Sequence, residues 1–319
     1  MSLAEFALID RIRARARTRD DVVLGIGDDA ALLQPCAGEQ LVVTADTLNS
    51  GVHFPAGTPA FEIGWKTLAV NLSDLAAMGA APAWCTLALS LPEADAAWIE
   101  AFADGFFALA DQHDIVLIGG DTTRGPLSLS VTAMGQVAAG SALRRDAARV
   151  GDDVWVSGTL GDAAAALRAW QAGALDVRAP STDTDLEVLR QRLARPTPRV
   201  ALGRALRGIA HAAVDVSDGL LADLGHICAR SAVGARVEAA QLPLSAALQA
   251  RCTQAQSRDC ALRGGDDYEL CFTAPVAARA VIAAVSATLS LPLTRVGVIV
   301  PGEGVQCESG GQPGYQHFT

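Results

Sequence analysis

The chain has 319 residues, half of them hydrophobic and only 19% charged, with a net charge of −10 and an isoelectric point near 4.9. That balance supplies a core large enough for two domains or one large one, and it disfavours nucleic acid as the main partner, because Lys and Arg drive phosphate neutralisation. No apolar run approaches the roughly 18 to 20 residues of a membrane span, and the seven cysteines form no CxxC pair, which leaves neither a disulfide framework nor a zinc cluster to expect.

Hydrophobic periodicity predicts a helix over 5–17, with Arg11, Arg13, Arg15, Arg17 and Arg19 as a solvated basic face. The first residues lack a basic stretch followed by an apolar one, so a cytoplasmic protein is expected. A strand over 41–45 and a long helix over 61–78 come next. Then follow a strand over 84–91, a helix over 94–111 opened by Pro92-Glu93, and strands over 115–118 and 127–137. The pattern breaks between 138 and 153, which sets the expected domains at 1–140 and 141–319. The second half restarts with a strand over 153–157, a helix over 162–172 and a surface loop over 173–186. Arg195-Pro196-Thr197-Pro198-Arg199 ends one helix and opens another. Strands over 212–216, 235–239, 269–273 and 294–299 and helices over 219–230 and 276–289 complete a layered α/β (α+β) architecture, ahead of a glycine-rich tail over 301–314.

Seven acidic segments punctuate these elements: 25–29 (GIGDD), 44–47 (TADT), 71–74 (NLSD), 119–124 (GGDTTR), 152–153 (DD), 215–219 (DVSDG) and 264–267 (GGDD). Most follow an apolar run, so their carboxylates are expected at strand ends or in turns. Asp and Gly favour turns for local reasons, yet such carboxylates also suit hard divalent cations shared with phosphate oxygens. A polyanion can bind an acidic site when metal ions lie between the two sets of charge. GxxxxGK[ST], GxGxxG opening a helix, the kinase HRD and DFG motifs and the GxSxG elbow are absent; Gly64-Trp65-Lys66-Thr67 is a near miss within a helix. What remains is phosphoryl transfer by positioning and charge neutralisation.

LGIGDDAALL (24–33), TADTL (44–48), the HF of GVHF (51–54), LAVNLSDLAAMGA (68–80), LIGGDTTRGP (117–126), DVSDGLLADLGHI (215–227) and GGDDYELCF (264–272) together resemble the thiamine-monophosphate kinase family, from Leu24 to the closing Gly314-Tyr315-Gln316-His317-Phe318. The shorter GIGDD and GGD elements also occur across the wider superfamily of ATP-using aminoimidazole ribonucleotide synthetases. The resemblance implies transfer of the γ-phosphoryl of ATP to thiamine monophosphate, several Mg²⁺ ions, and a two-domain synthetase-like fold. Its N-terminal sheet is expected to pair across a homodimer, ahead of a C-terminal α/β domain. It marks Asp29, Thr44, Asp46, Asp74, Asp121, Asp215 and Asp218 as metal ligands, with the backbone oxygen of Ala45. Gly120, Asp121, Arg145 and Ser217 become nucleotide contacts, with Asp46, Asp121 and Arg145 at the transferred group. His53, Asp266 and Tyr315 become contacts to the thiamine phosphate. Glu is common in the family where this chain has Asp266, which leaves that contact to Asp266, to a water, or to Asp267.

Read singly, several of these residues have plainer roles. Asp74 fits a polar point on an amphipathic helix, and Asp28 is as readily a turn or capping residue as a ligand. His113, His211, His226 and the five tryptophans read as structural. An acceptor phosphate is already ionised, so a direct in-line transfer needs no general base and no phospho-enzyme. The competing readings are another ATP-dependent member of the superfamily and a non-catalytic nucleotide- and Mg²⁺-binding regulator.

Overall fold

The computed structural model describes residues 5–307, so Tyr315 and Phe318 lie outside the described residues. The chain divides into two compact units. The first holds the residues up to Leu75, Ala80–Gly140 and Val177–Ala179; the second holds Ala76–Gly79, Ser141–Asp176 and the residues from Pro180 on.

The first unit runs α1 (Glu5–Arg13), β1 (Val22–Leu24), β2 (Leu32–Leu33), β3 (Glu39–Asn49), α2 (Ala60–Ala77), β4 (Ala81–Leu91), α3 (Ala96–Gln112), β5 (Val116–Arg124) and β6 (Ser128–Ala138). Its main sheet has the order β3-β6-β4-β5, antiparallel except for the β4–β5 pair. Residues on one face are buried, among them Leu87, Leu89, Leu129, Val131 and Ala133. The other face carries Thr86, Ala88, Ser90, Ser130, Thr132, Asp121 and Thr123, together with Leu41 and Val43 of β3, which are 49% and 55% exposed. One end of this face is covered, where Trp84, Val116, Ile118 and Met134 pack against Val22, Ala31 and Leu33. The open remainder, on a sheet with two open edges, is a surface that proteins ordinarily protect.

The GWKT run is a helix-crossing device, not a phosphate loop. A Cβ at Gly64 would lie 2.0 Å from the Phe102 carbonyl oxygen, and one at Gly105 would lie 1.9 Å from that of Phe61. Two glycines therefore let α2 and α3 touch backbone to backbone. The arginines in and after α1 are partly exposed and make ion pairs across the surface. Arg11 pairs with Glu100, Arg15 with Asp104 at 2.9 Å, and Arg17 with Asp111 and Asp114 at 3.1 Å each. These are exposed pairs and each contributes little. Helix α3 is capped by Asp95, whose carboxylate accepts from the Ala97 and Trp98 N–H groups, so it begins later than Pro92-Glu93 suggests.

The second unit runs β7 (Asp153–Ser157), α4 (Asp162–Gln171), α5 (Thr184–Ala194), α6 (Val200–Ala205), β8 (Ala212–Val216), α7 (Leu220–Ser231), β9 (Gly234–Val237), α8 (Ala246–Arg251), α9 (Gln254–Arg263), β10 (Glu269–Ala274), α10 (Arg279–Leu289), β11 (Leu293–Val300) and β12 (Gly304–Cys307). Its six-stranded sheet has the order β12-β9-β11-β7-β10-β8. The core packs Val154, Val156, Val214, Val216, Leu220, Leu224 and Ile227. The Asp152-Asp153 pair is architectural. Asp152 meets His211 Nδ1 at 2.9 Å, while Asp153 accepts from Arg279 and Arg295 at 2.7 to 2.9 Å. No helix among the described residues is long and apolar enough to cross a membrane.

Candidate active site

Two of the first unit's acidic motifs, 44–47 and 119–124, do not sit at strand ends, whereas 25–29 follows β1 in a loop and 71–74 lies in α2. Strand β3 runs past Ala45 to Asn49, and β5 runs past Ile118 to Arg124, so Asp46 and Asp121 lie inside strands. Their ladders carry them: Asp46 pairs with Val131 of β6, and Asp121 with Ala88 of β4. Sequence alternation stops at the first polar residue, but a strand continues wherever a neighbour accepts and donates its backbone hydrogen bonds.

Thr44 and Asp46 point to the face on which α2 lies. The Thr44 hydroxyl donates to Asp74 Oδ2 in a short hydrogen bond, and the Asp46 N–H donates to Asn71 Oδ1 at 3.1 Å. Asn71 is fully buried and its own amide donates to the Thr67 carbonyl at 3.1 Å. One helical turn of α2 thus holds both the strand backbone and the second carboxylate. Burial first, then the charge of Asp74 and its hydrogen bond, push the Asp46 carboxyl up to about 6. A half-buried carboxylate pair with a hydroxyl offers hard oxygen donors of the kind magnesium takes. Among the described residues no three His, Cys, Asp or Glu side chains gather into a metal group. Phosphate oxygens and waters would have to complete a metal shell there.

Ala45 lies on the opposite face of β3, with its backbone in the β3–β6 ladder. Gly120 is required by close approach, since a Cβ there would sit 1.9 Å from the Leu87 carbonyl oxygen. Asp121 is exposed on the uncovered face of β5. Strands β3 and β5 are the two edges of the sheet with β6 and β4 between them, about 14 Å apart at ordinary strand spacing. Asp121 and Asp46 thus lie on opposite edges and opposite faces of this sheet. Asp29 lies in an exposed loop, where its N–H donates to Asp28 Oδ1 at 2.8 Å; Asp28 is a turn residue here. His53 accepts the Asn49 N–H at Nδ1 (3.0 Å), which puts the ring proton on Nε2. Lys66, the chain's one lysine, is buried and donates to the His53 carbonyl at 3.0 Å.

In the second unit the loop after β8 is organised by a residue that motif reading passed over. Asp223 Oδ2 accepts the N–H groups of Ser217, Asp218 and Gly219 at 3.1, 3.0 and 3.1 Å. It fills the backbone nest at the start of α7 from inside the helix, where a negative charge is favoured. Its only signal in the sequence is an acid in the first turn after Ser-Asp-Gly. Burial pushes the Asp223 carboxyl up to about 7 despite these donors and the nearby Arg145. Arg145 is itself exposed, and its carbonyl accepts the Ser231 hydroxyl at 2.8 Å. Ser217, Asp218 and Arg145 are thus drawn around one buried carboxylate. Asp215 is 3% exposed within β8, opposite Leu270. Asp266 is half-buried, whereas Asp267 is buried with both oxygens on the Gly161 N–H at 3.0 and 2.8 Å. Of these two acids only Asp266 is reached appreciably by solvent. Tyr315 lies outside the described residues.

Residues 27–137 match the family described as AIR synthase related protein, N-terminal domain, and residues 149–309 match its C-terminal domain. The thiamine-monophosphate kinase of Salmonella typhimurium is 48% identical over 327 residues, covering 100% of this chain and 99% of that protein. This chain belongs to the thiamine-monophosphate kinase family. Among solved structures, the family member from Stenotrophomonas maltophilia K279a superposes with a TM-score of 0.92 at 72% identity, over 97% of this chain and 98% of that one. AaThiL complexed with AMPPCP and TMP gives a TM-score of 0.80 at 33% identity, over 100% and 99% of the two chains.

Proposed function

We propose that this chain phosphorylates thiamine monophosphate with ATP, giving thiamine diphosphate and ADP by direct in-line transfer, in the biosynthesis of thiamine diphosphate in the cytoplasm. The observation that carries this reading is the full-length likeness to a family member complexed with AMPPCP, an ATP analogue, and TMP. Incubation with ATP, Mg²⁺ and thiamine monophosphate, followed by chromatography of the thiamine species, is expected to yield thiamine diphosphate only when all three are present. Thiamine monophosphate left unchanged while ATP is consumed on another acceptor overturns the reading.

Thr44, Ala45, Asp46 and Asp74 in the first unit and Asp215 and Asp218 in the second are the residues that would hold Mg²⁺, with Asp29 and Asp121. When bound, Mg²⁺ offsets the charge of two phosphate groups that must approach one another. Asn71 fixes the strand backbone at Asp46, and Thr44 fixes the direction of the Asp74 carboxylate. Asp223 fixes the loop that carries Ser217, a nucleotide contact, and Asp218, a metal ligand; Gly120 and Asp121 on β5 are further nucleotide contacts. Arg145 stabilises charge near the transferred group. His53, Asp266 and Tyr315 recognise the acceptor, which brings its own ionised oxygen and needs no base.

The two open edges of the first unit's sheet and its exposed Leu41 and Val43 support a homodimer. Two copies that close their sheets edge to edge set β3 of one beside β5 of the other and cover that face.

A pH dependence follows from Asp46. Its carboxyl is raised, so it is neutral below about pH 6 and a cation must displace its proton. The kcat/KM for ATP is expected to rise with pH through this region. The midpoint should move to lower pH as Mg²⁺ is increased, because cation and proton compete for the same oxygens. An acid limb that stays fixed over a wide range of Mg²⁺ contradicts that role.

A further inference from the structure

The segment between α9 and β10 holds a second layer of organisation. Asp266 and Tyr268 both adopt the left-handed backbone region, with φ of 69° and 50°. For residues with side chains that conformation costs on the order of 1 kcal/mol or more each and persists only where the surroundings over-determine it. They do so here. The Asp266 N–H donates to the Ser217 carbonyl at 2.9 Å and the Tyr268 N–H donates to the Val216 carbonyl at 2.8 Å. Between them Asp267 is pinned to the Gly161 N–H, and Arg192 Nη2 donates to the Asp267 carbonyl at 3.3 Å. Gly265 packs so closely that a Cβ would lie 2.4 Å from the Ser217 carbonyl oxygen. The outcome of this bracing is specific: the Tyr268 side chain turns back along the segment and its hydroxyl donates to Asp266 Oδ1 at 3.0 Å. Tyr268 is 9% exposed, so the phenol is held by packing, while Asp266 is half-buried.

We propose that Tyr268 is a positioning residue for the acceptor substrate, its hydroxyl fixing the direction of the Asp266 carboxylate toward the cationic thiamine phosphate. This rests on the reading of Asp266 as an acceptor contact. A short carboxylate on a strained backbone has little reach, so its energetic value to a ligand depends on being aimed before the ligand arrives. A hydrogen bond to a charged group supplies that aim. The phenol acts through the Asp266 carboxylate, so its loss is expected in acceptor binding.

The test is steady-state kinetics on Tyr268→Phe, Asp266→Asn and the double variant, with melting temperature measured alongside. Tyr268→Phe is expected to raise KM for thiamine monophosphate about tenfold, leaving kcat and KM for ATP within about twofold. In the Asp266→Asn background the same change is expected to add nothing. If Asp266→Asn raises KM for the acceptor and Tyr268→Phe does not, the positioning role is wrong and the Asp266 contact stands. If Asp266→Asn leaves KM for the acceptor unchanged, the contact itself is wrong. If Tyr268→Phe lowers kcat and raises both KM values together with a fall in melting temperature, the hydroxyl is structural and the proposal fails.

Discussion

Asp46→Asn is expected to lower kcat/KM by about 10²- to 10⁴-fold with little change in melting temperature, which corresponds to several kcal/mol of lost charge stabilisation. The replacement keeps the side chain's shape and leaves the Asp46 backbone on Asn71 Oδ1. It removes one of two carboxylates that press against each other on the buried face of β3, and the like charge of Asp74 is part of what raises the Asp46 carboxyl. Stability should hold or rise slightly, because a repulsion disappears. Asp121→Asn is expected to cost a comparable loss from the other edge of the sheet, where its exposed side chain contributes little to folding. Steady-state assays at saturating Mg²⁺ decide the matter. Near-normal turnover in both variants would make these residues ordinary strand acids.

Glu269→Gln should have the largest effect on folding. Glu269 is fully buried in β10. It accepts from the Ser157 hydroxyl at 2.5 Å, from Arg192 Nη2 at 2.7 Å and from Arg199 Nε at 2.6 Å, with a second, shorter contact to Arg199. Gln keeps the volume but removes the anion, leaving two largely buried guanidinium groups without their central counter-charge. Breaking a buried pair from one side costs about 3 to 5 kcal/mol, and Asp162, 3.9 Å from Arg192, offsets a part of that. Thermal unfolding should show a melting temperature lower by on the order of 10 °C, with turnover at low temperature retained. An unchanged melting temperature would mean that the cluster is not a stabilising hub.

The contrast between these two variants shows what the sequence does and does not disclose. GGDDYEL reads as one acidic motif, yet its acids divide by burial. Asp267 and Glu269 are buried and bonded internally, while Asp266 alone is half-buried. Nothing in residue type separates them, because the difference is made by Gly161, Ser157 and two arginines far away in the chain. Long periodic elements such as α2 and α3 were legible, since burial on one face imposes a 3.6-residue repeat. Helix α9 was not, because it is polar and is held by the Thr253–Gln256 capping box at its start. Strand β12 hides in a glycine-rich stretch and exists through its parallel pairing with β9. The 25–29 and 217–219 segments follow β1 and β8 as an acid after an apolar run leads one to expect. Asp46 and Asp121 were expected at strand ends, and they occupy the interiors of two edge strands.

Closure of two sheets over Leu41 and Val43 predicts a stable homodimer, and the assembly state tests it most directly. Light scattering of the purified chain at micromolar concentration should give about twice the chain mass of 32.9 kDa, and the Leu41→Asp, Val43→Asp double variant should fall to a single chain mass. A wild-type chain that stays monomeric at that concentration would contradict the edge-to-edge assembly.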